Sequence, residues 1–270
     1  MTEFEYKISL GQNFLFDEAL IARLLDETDI ETEDTVLEIG AGRGDLTLAL
    51  AKRCKHVVTI EIDERLAPVL KEQFQERDNI TLVMGDVMTL DLKALMAPYG
   101  AFHVAANLPY YLTTPILTLL FKLPLPILSA NVMVQQEAAA RVMAVSGTRE
   151  YGPLALLARY RGEPKDAATV PARAFTPPPK VDSVFMVMPF FKSPSLAIQD
   201  EEFFFRLIYA AFAMRRKTLV NNLMPFFAIG RTQAQEMLMK AGIPINARGE
   251  AVTLAQFSAL SDILHAHTQS

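Results

Sequence analysis

Between Val36 and Asp86 short apolar runs rich in β-branched residues alternate with segments of helical spacing. That rhythm is the mark of βαβ units, and it commits a chain to a parallel sheet with helices on its faces. Strands are expected at Val36 to Ile39, Val57 to Ile60, Ile80 to Met84, Phe102 to Ala106 and Asn131 to Gln135, with helices over Asp45 to Cys54 and Arg65 to Glu76. These strands are apolar almost without alternation, as strands buried on both faces must be. The fold class is therefore α/β, a doubly wound and mostly parallel Rossmann-like sheet, in a chain of 270 residues that can also carry a small appendage.

The appendage is expected at the C-terminal end. After the stiff triple proline Pro177, Pro178, Pro179 and a late strand over Val181 to Met188, composition shifts across Lys192 to Gln199. Asp200, Glu201 and Glu202 then open a helix carrying Phe204, Leu207, Ile208, Ala211 and Phe212 at helical spacing. Further helices over Thr232 to Ala241 and Thr253 to His265 complete a small all-α C-terminal domain, and the expected domains are 1–192 and 193–270.

Composition removes several function classes. Cys54 is the only cysteine, so no intrachain disulfide forms, and no Cys/His spacing suits a metal. No apolar run suggests a leader or a membrane span, so a cytoplasmic protein with no membrane or metal partner is expected. The net charge of −5 speaks against a nucleic-acid partner until it is divided. Residues 1–140 hold 11 Lys and Arg against 21 Asp and Glu, a balance of −10, whereas residues 141–250 hold 15 against 9, a balance of +6. A polyanion belongs on the basic part.

Gly40-Ala41-Gly42-Arg43-Gly44 follows the first expected strand and precedes a helix, so backbone can approach a ligand closely there. A dinucleotide fingerprint would need glycine at position 45, which is Asp45, and this demotes hydride transfer. The loop suits S-adenosylmethionine, which has no pyrophosphate to seat. Glu61 ends the second strand, 21 residues after Gly40, where a carboxylate can accept both ribose hydroxyls, and Asp86 ends the third, where it can accept from an adenine amine.

Asn107-Leu108-Pro109-Tyr110 ends the fourth strand. An exocyclic adenine amine is a poor nucleophile because its lone pair is delocalised into the ring. Acceptors at the Asn107 side-chain oxygen and the Pro109 carbonyl would hold its N–H groups and aim the nitrogen at a methyl group, which is catalysis by position and electrostatics. Tyr110 offers a face on which an unstacked base can lie, and Tyr111 can line the same wall.

With these motifs the chain resembles the small-subunit ribosomal RNA adenine dimethyltransferase family (KsgA, or RsmA), over nearly its whole length. Ser9-Leu10-Gly11-Gln12-Asn13-Phe14-Leu15 is similar to that family's N-terminal motif, which implies that Gln12, Asn13 and Leu15 help to hold S-adenosylmethionine. Gly40, Gly42, Glu61, Asp86 and Asn107 fall where the family places its other cofactor contacts. The stretch Ala174 to Ser183 is similar to one that closes over the target, with Phe175 as a second stacking partner. Arg215, Arg216 and Lys217 resemble the family's basic segment and imply RNA contact by the helical domain. The implied activity is dimethylation of the N6 amines of two adjacent adenosines near the 3′ end of 16S rRNA, in the immature 30S subunit, by a monomer. Erythromycin-resistance methyltransferases, which act on 23S rRNA, share most of these motifs, and a chiefly non-enzymatic assembly factor is the alternative of a different class.

Overall fold

The structure, a computed structural model, describes residues 13–268. The chain divides into two compact units, one of the described residues up to Ala139 with 163–192, the other of 140–162 with the described residues from Ser193 on.

The first unit is the α/β layer. Strands β2 (Thr35–Ile39), β3 (His56–Glu61), β4 (Ile80–Met84), β5 (Phe102–Asn107) and β6 (Ile127–Gln135) lie parallel. Strand β9 (Ser183–Pro189) adds antiparallel to β6, and β7 (Lys165–Val170) antiparallel to β9, giving the order β4-β3-β2-β5-β6-β9-β7. The sheet is thus parallel where short apolar runs alternate with helices and antiparallel at one edge. Helices α1 (Glu18–Asp26), α2 (Asp45–Ala51), α3 (Ala67–Phe74), α4 (Leu92–Met96) and α5 (Thr113–Lys122) connect or flank the parallel strands. Val36, Leu37, Val57, Val58 and Val104 are completely buried, which is why these strands carry no polar face. Ile21 and Leu25 of α1 pack with Leu50 of α2, Val36 and Val57 in one apolar cluster. A two-residue strand β1 (Phe14–Leu15) pairs antiparallel with β8 (Phe175–Thr176) as a separate ribbon.

The second unit holds α7 (Pro153–Arg161), α8 (Glu201–Ala211), α9 (Leu219–Phe227), α10 (Arg231–Lys240) and α11 (Leu254–Thr268), and α6 (Gln136–Met143) leads into it from the first. The expected single boundary at 192/193 keeps 140–162 with the sheet, whereas the structure groups that segment with the helices. Its physical reason lies in α7, which buries Leu154 through Ala158 and Tyr160. The Tyr160 ring lies 5.4 Å from Phe204 of α8, its hydroxyl donates to Glu201 at 2.6 Å, and the Tyr151 hydroxyl donates to the Val252 carbonyl at 3.1 Å.

Candidate active site

The sheet order decides where a ligand can lie. From β2 the chain winds outward through β3 and β4, then returns to add β5 on the other side of β2. The gap between the carboxyl ends of β2 and β5 is a topological switch point, the place where open α/β sheets bind ligands. Read along that edge, Asp86 follows β4, Glu61 ends β3, the glycine loop follows β2 and Asn107 ends β5. All four border one cavity, together with Asn13, Leu15, Gly42, Leu108 and Pro109.

Gly40 and Gly42 have φ of +87° and +57°, a region that side chains enter at a cost of about 1–2 kcal/mol. A Cβ at Gly40 would meet nothing within 4 Å, so backbone there opens onto free space, whereas a Cβ at Gly42 would stand 2.9 Å from Cε1 of Phe14. The loop is therefore a cradle at Gly40 and a packing contact at Gly42. Glu61 is 5% exposed, and its carboxylate accepts the Gly42 N–H and the Asp63 N–H, both at 2.8 Å. Burial raises its pKa, and these two bonds oppose the shift. Each oxygen keeps a lone pair for a ribose hydroxyl. Asp86 caps its own turn by accepting the Met88 N–H at 2.9 Å while bordering the cavity, so the structural and ligand-binding readings of this residue coexist.

Asn107 Nδ2 donates to the Asn13 carbonyl at 2.8 Å, which fixes the amide and leaves Oδ1 as the acceptor. The Pro109 carbonyl already accepts the Leu112 N–H at 3.0 Å and the Thr113 hydroxyl at 3.2 Å, as the turn into α5 requires. Both its lone pairs are used. This corrects the assignment of Pro109 as amine acceptor, and among the described residues no donor reaches the carbonyl of Leu108, one residue earlier on the same cavity wall.

Two aromatic assignments also change. Phe175 is 3% exposed and packs with Leu24, Met133, Phe185 and Val187, because the pairing of β8 with β1 turns its ring into this apolar cluster. It presents no stacking face. Tyr110 is half-buried beside the tetrad, its hydroxyl 3.3 Å from that of Ser183 and its pKa raised by burial, but it stands off the cavity wall. Tyr111 is 54% exposed. Gln12 lies outside the described residues. Arg215, Arg216 and Lys217 are exposed in the turn between α8 and α9 of the helical unit rather than on a helix, and Arg215 donates to the Arg149 carbonyl.

Sequence reasoning passed over Phe14, Arg43, Asp45 and Ile62, all of which border the cavity. Asp45 was read only as the reason to reject a dinucleotide. Its position one residue past the loop was the available signal.

The residues along this edge fit S-adenosylmethionine: backbone open at Gly40, a buried carboxylate in Glu61 with acceptor capacity left for hydroxyls, and apolar Ile62 and Val87 on the same walls. A sequence model of the ribosomal RNA adenine dimethylase family matches residues 3–266. The chain belongs to that family. Ribosomal RNA adenine dimethylation is the activity of ribosomal RNA adenine dimethylases, and this chain is an enzyme of that class.

Among relatives, ribosomal RNA small subunit methyltransferase A of Staphylococcus haemolyticus is 40% identical over 264 residues, 95% of this chain and 89% of the relative. That of Shouchella clausii is 41% identical over 268 residues, covering 97% and 90%. Among solved structures, a dimethyladenosine transferase from Plasmodium falciparum aligns with a TM-score of 0.77 at 22% identity over 92% of this chain and 95% of that one, a likeness of fold. The 23S rRNA methyltransferase ErmE aligns with a TM-score of 0.68 at 28% identity, covering 94% of this chain and 100% of that one. Among the described residues no helix is long and apolar enough to cross a membrane, and no group of three or more His, Cys, Asp or Glu side chains is placed to hold a metal ion.

Proposed function

We propose that this protein dimethylates the N6 amines of two adjacent adenosines near the 3′ end of 16S rRNA, within the immature small subunit, with S-adenosylmethionine as donor. The observation that carries the reading is the fixed amide of Asn107 at the switch point, with Oδ1 left as acceptor beside the glycine cradle. The small-subunit target rests on relatives of about 40% identity named for that subunit, against 28% for ErmE.

When bound, the donor supplies an electrophilic methyl on a sulfonium centre. Gly40, Gly42, Glu61 and Asp86 hold it along the sheet edge, and Asn13 and Leu15 close the near wall. Asn107 Oδ1 accepts one N–H of the adenine amine and the Leu108 carbonyl is placed to accept the other, so the lone pair is directed at the methyl. The S–methyl bond would break as the N–methyl bond forms, with S-adenosylhomocysteine leaving and the surplus amine proton passing to water, so no side chain need act as a strong base. For the second methyl the monomethylated nitrogen turns so that its remaining N–H takes the Asn107 acceptor. The half-buried Tyr110 reaches the flipped base after a side-chain movement, and the basic helical unit holds flanking RNA through Arg215, Arg216 and Lys217.

Labelled S-adenosylmethionine incubated with under-methylated 30S or 50S particles, followed by mapping of the modified nucleotide, tests the reading. Dimethyladenosine near the 16S 3′ end is expected, and modification confined to 50S particles overturns it. Asn107→Ala should lose transfer by far more than it loses donor affinity, and transfer at the wild-type rate by that variant removes the role given to Asn107.

A further inference from the structure

The tetrad and the start of β9 meet at one point. Leu108, Pro109 and Leu112 border the cavity, whereas Tyr110, between them in the turn into α5, does not. Its ring is drawn aside, with its hydroxyl 3.3 Å from that of Ser183. Ser183 is fully buried and opens β9, the strand whose Phe185, two residues on and on the same face, borders the cavity. The backbone that carries Ser183 is held on both sides, since it pairs with Gln135 of β6 and with Val170 of β7. Just before it, the Asp182 carboxylate accepts the Ala172 N–H at 2.9 Å and the Asp182 carbonyl accepts the Gln136 N–H at 3.4 Å. The serine is thus a fixed point, and movement belongs to the tyrosine side chain.

Among the described residues Tyr110 is the one partner of the Ser183 hydroxyl. That hydroxyl loses its hydrogen bond when the tyrosine swings out, and a buried polar group without a partner is disfavoured. The retracted ring is therefore favoured in the free protein. At 3.3 Å the bond is longer than the 2.7–2.8 Å or about that usual for two hydroxyls, which suits a contact that has to break. Resting on the reading that Tyr110 reaches the flipped base, we infer that Ser183 is a positioning residue for Tyr110, a latch that keeps its ring off the cavity until a base arrives.

A latch of this kind weakens substrate binding and leaves chemistry alone. Only molecules with the tyrosine released capture the base, whereas the transfer step follows once the ring has closed on it. Binding of under-methylated 30S particles with S-adenosylhomocysteine in the site, and the single-turnover rate with S-adenosylmethionine at saturating particle, separate the two. Ser183→Ala is expected to tighten particle binding by about two- to fivefold, the lower part of what a neutral hydrogen bond contributes, with its saturated rate within about twofold of wild type. Tyr110→Phe removes the same bond from the other side while keeping the ring, and should tighten binding to a similar extent. The double variant should gain no more than either single one, because all three lack one and the same bond. Ser183→Thr keeps a hydroxyl and should bind as the wild type does, a rescue that mere loosening of β9 would not give. Unchanged or weaker binding by Tyr110→Phe, or gains that add in the double variant, overturn the latch, and Tyr110→Phe alone decides if Ser183→Ala folds poorly. Tyr110→Ala tests the reading beneath it: methylation at the wild-type rate and affinity by that variant overturns contact of Tyr110 with the base, whereas its loss beside unchanged binding in the hydroxyl variants overturns the latch alone.

Discussion

Glu38 stands two residues before Gly40 and is completely buried. The Thr47 hydroxyl of α2 donates to its Oε2 at 2.5 Å, tying the strand before the loop to the helix after it, while Oε1 has no partner among the described residues. Burial pushes its carboxyl up to about 7 from 4.5, the Thr47 bond opposing and the charges of Glu61 and Asp45 adding. The folded protein thus keeps a proton that the unfolded chain releases, so the stability this group contributes is full below 4.5 and disappears as pH rises through about 7. Glu38→Gln keeps an acceptor for Thr47 and removes the titration. Thermal unfolding across that window should show the wild type falling relative to the variant and the variant more stable at about pH 8. Glu61 and Asp45, also raised by burial, slope the same way in both proteins, so the difference between the curves reports Glu38 together with its coupling to these two charges. Parallel curves would refute the assignment. The glycines of the loop give a second contrast. Gly42→Ala must both strain a φ of +57° and displace the Phe14 ring, whereas the methyl of Gly40→Ala projects into open space. Gly42→Ala should therefore show the larger drop in melting temperature, and Gly40→Ala should chiefly lose affinity for S-adenosylmethionine in a binding titration.

At the scale of elements, α9 ends in a way that invites a test. Ala228 caps it at φ +52°, ψ +38°, the left-handed conformation usual for glycine, and its N–H bonds the Met224 carbonyl. Ala228 is exposed, so removing its methyl costs little buried contact. Ala228→Gly should raise stability by about 0.5 kcal/mol, relief of left-handed strain exceeding the added entropy of the unfolded chain, and a lower melting temperature would contradict this. Elements also differ in how far they could be read beforehand. The parallel strands were legible because burial on both faces makes them unbroken apolar runs, and helix α8 because Asp200 caps it by accepting the Phe203 N–H at 2.9 Å. Helix α7 buries residues on most of its circumference, so its pattern named no face and hid its place with the C-terminal helices. Strands β1 and β8 are two residues each and meet across a long sequence separation, which no local pattern encodes. The site followed the same rule. Gly40, Glu61, Asp86 and Asn107 sit at strand ends and were placed by counting strands, whereas the directions of the Phe175 ring and the Pro109 carbonyl depend on pairing and turn geometry.

For the whole molecule the open question is how an acidic chain holds RNA. Residues 1–140 carry −10 and residues 141–250 carry +6, so the average charge of −5 describes neither part. At physiological salt, charges farther apart than about 8 Å are largely screened, so a phosphate held beside a run of cations responds to those cations more than to the net charge of the chain. Arg215, Arg216 and Lys217 are consecutive and exposed, and the bond from Arg215 to the Arg149 carbonyl leaves its positive charge intact. If these three neutralise RNA phosphates, replacing all three with alanine should weaken binding to under-methylated 30S particles. It should also make the plot of log affinity against log salt shallower by roughly 2, the counterion release of three single-strand contacts. Affinity for S-adenosylmethionine should stay unchanged, because none of the three borders the cavity. An unchanged salt slope would mean that the cations serve only the turn between α8 and α9, and that the RNA is held by other charges of the basic segment.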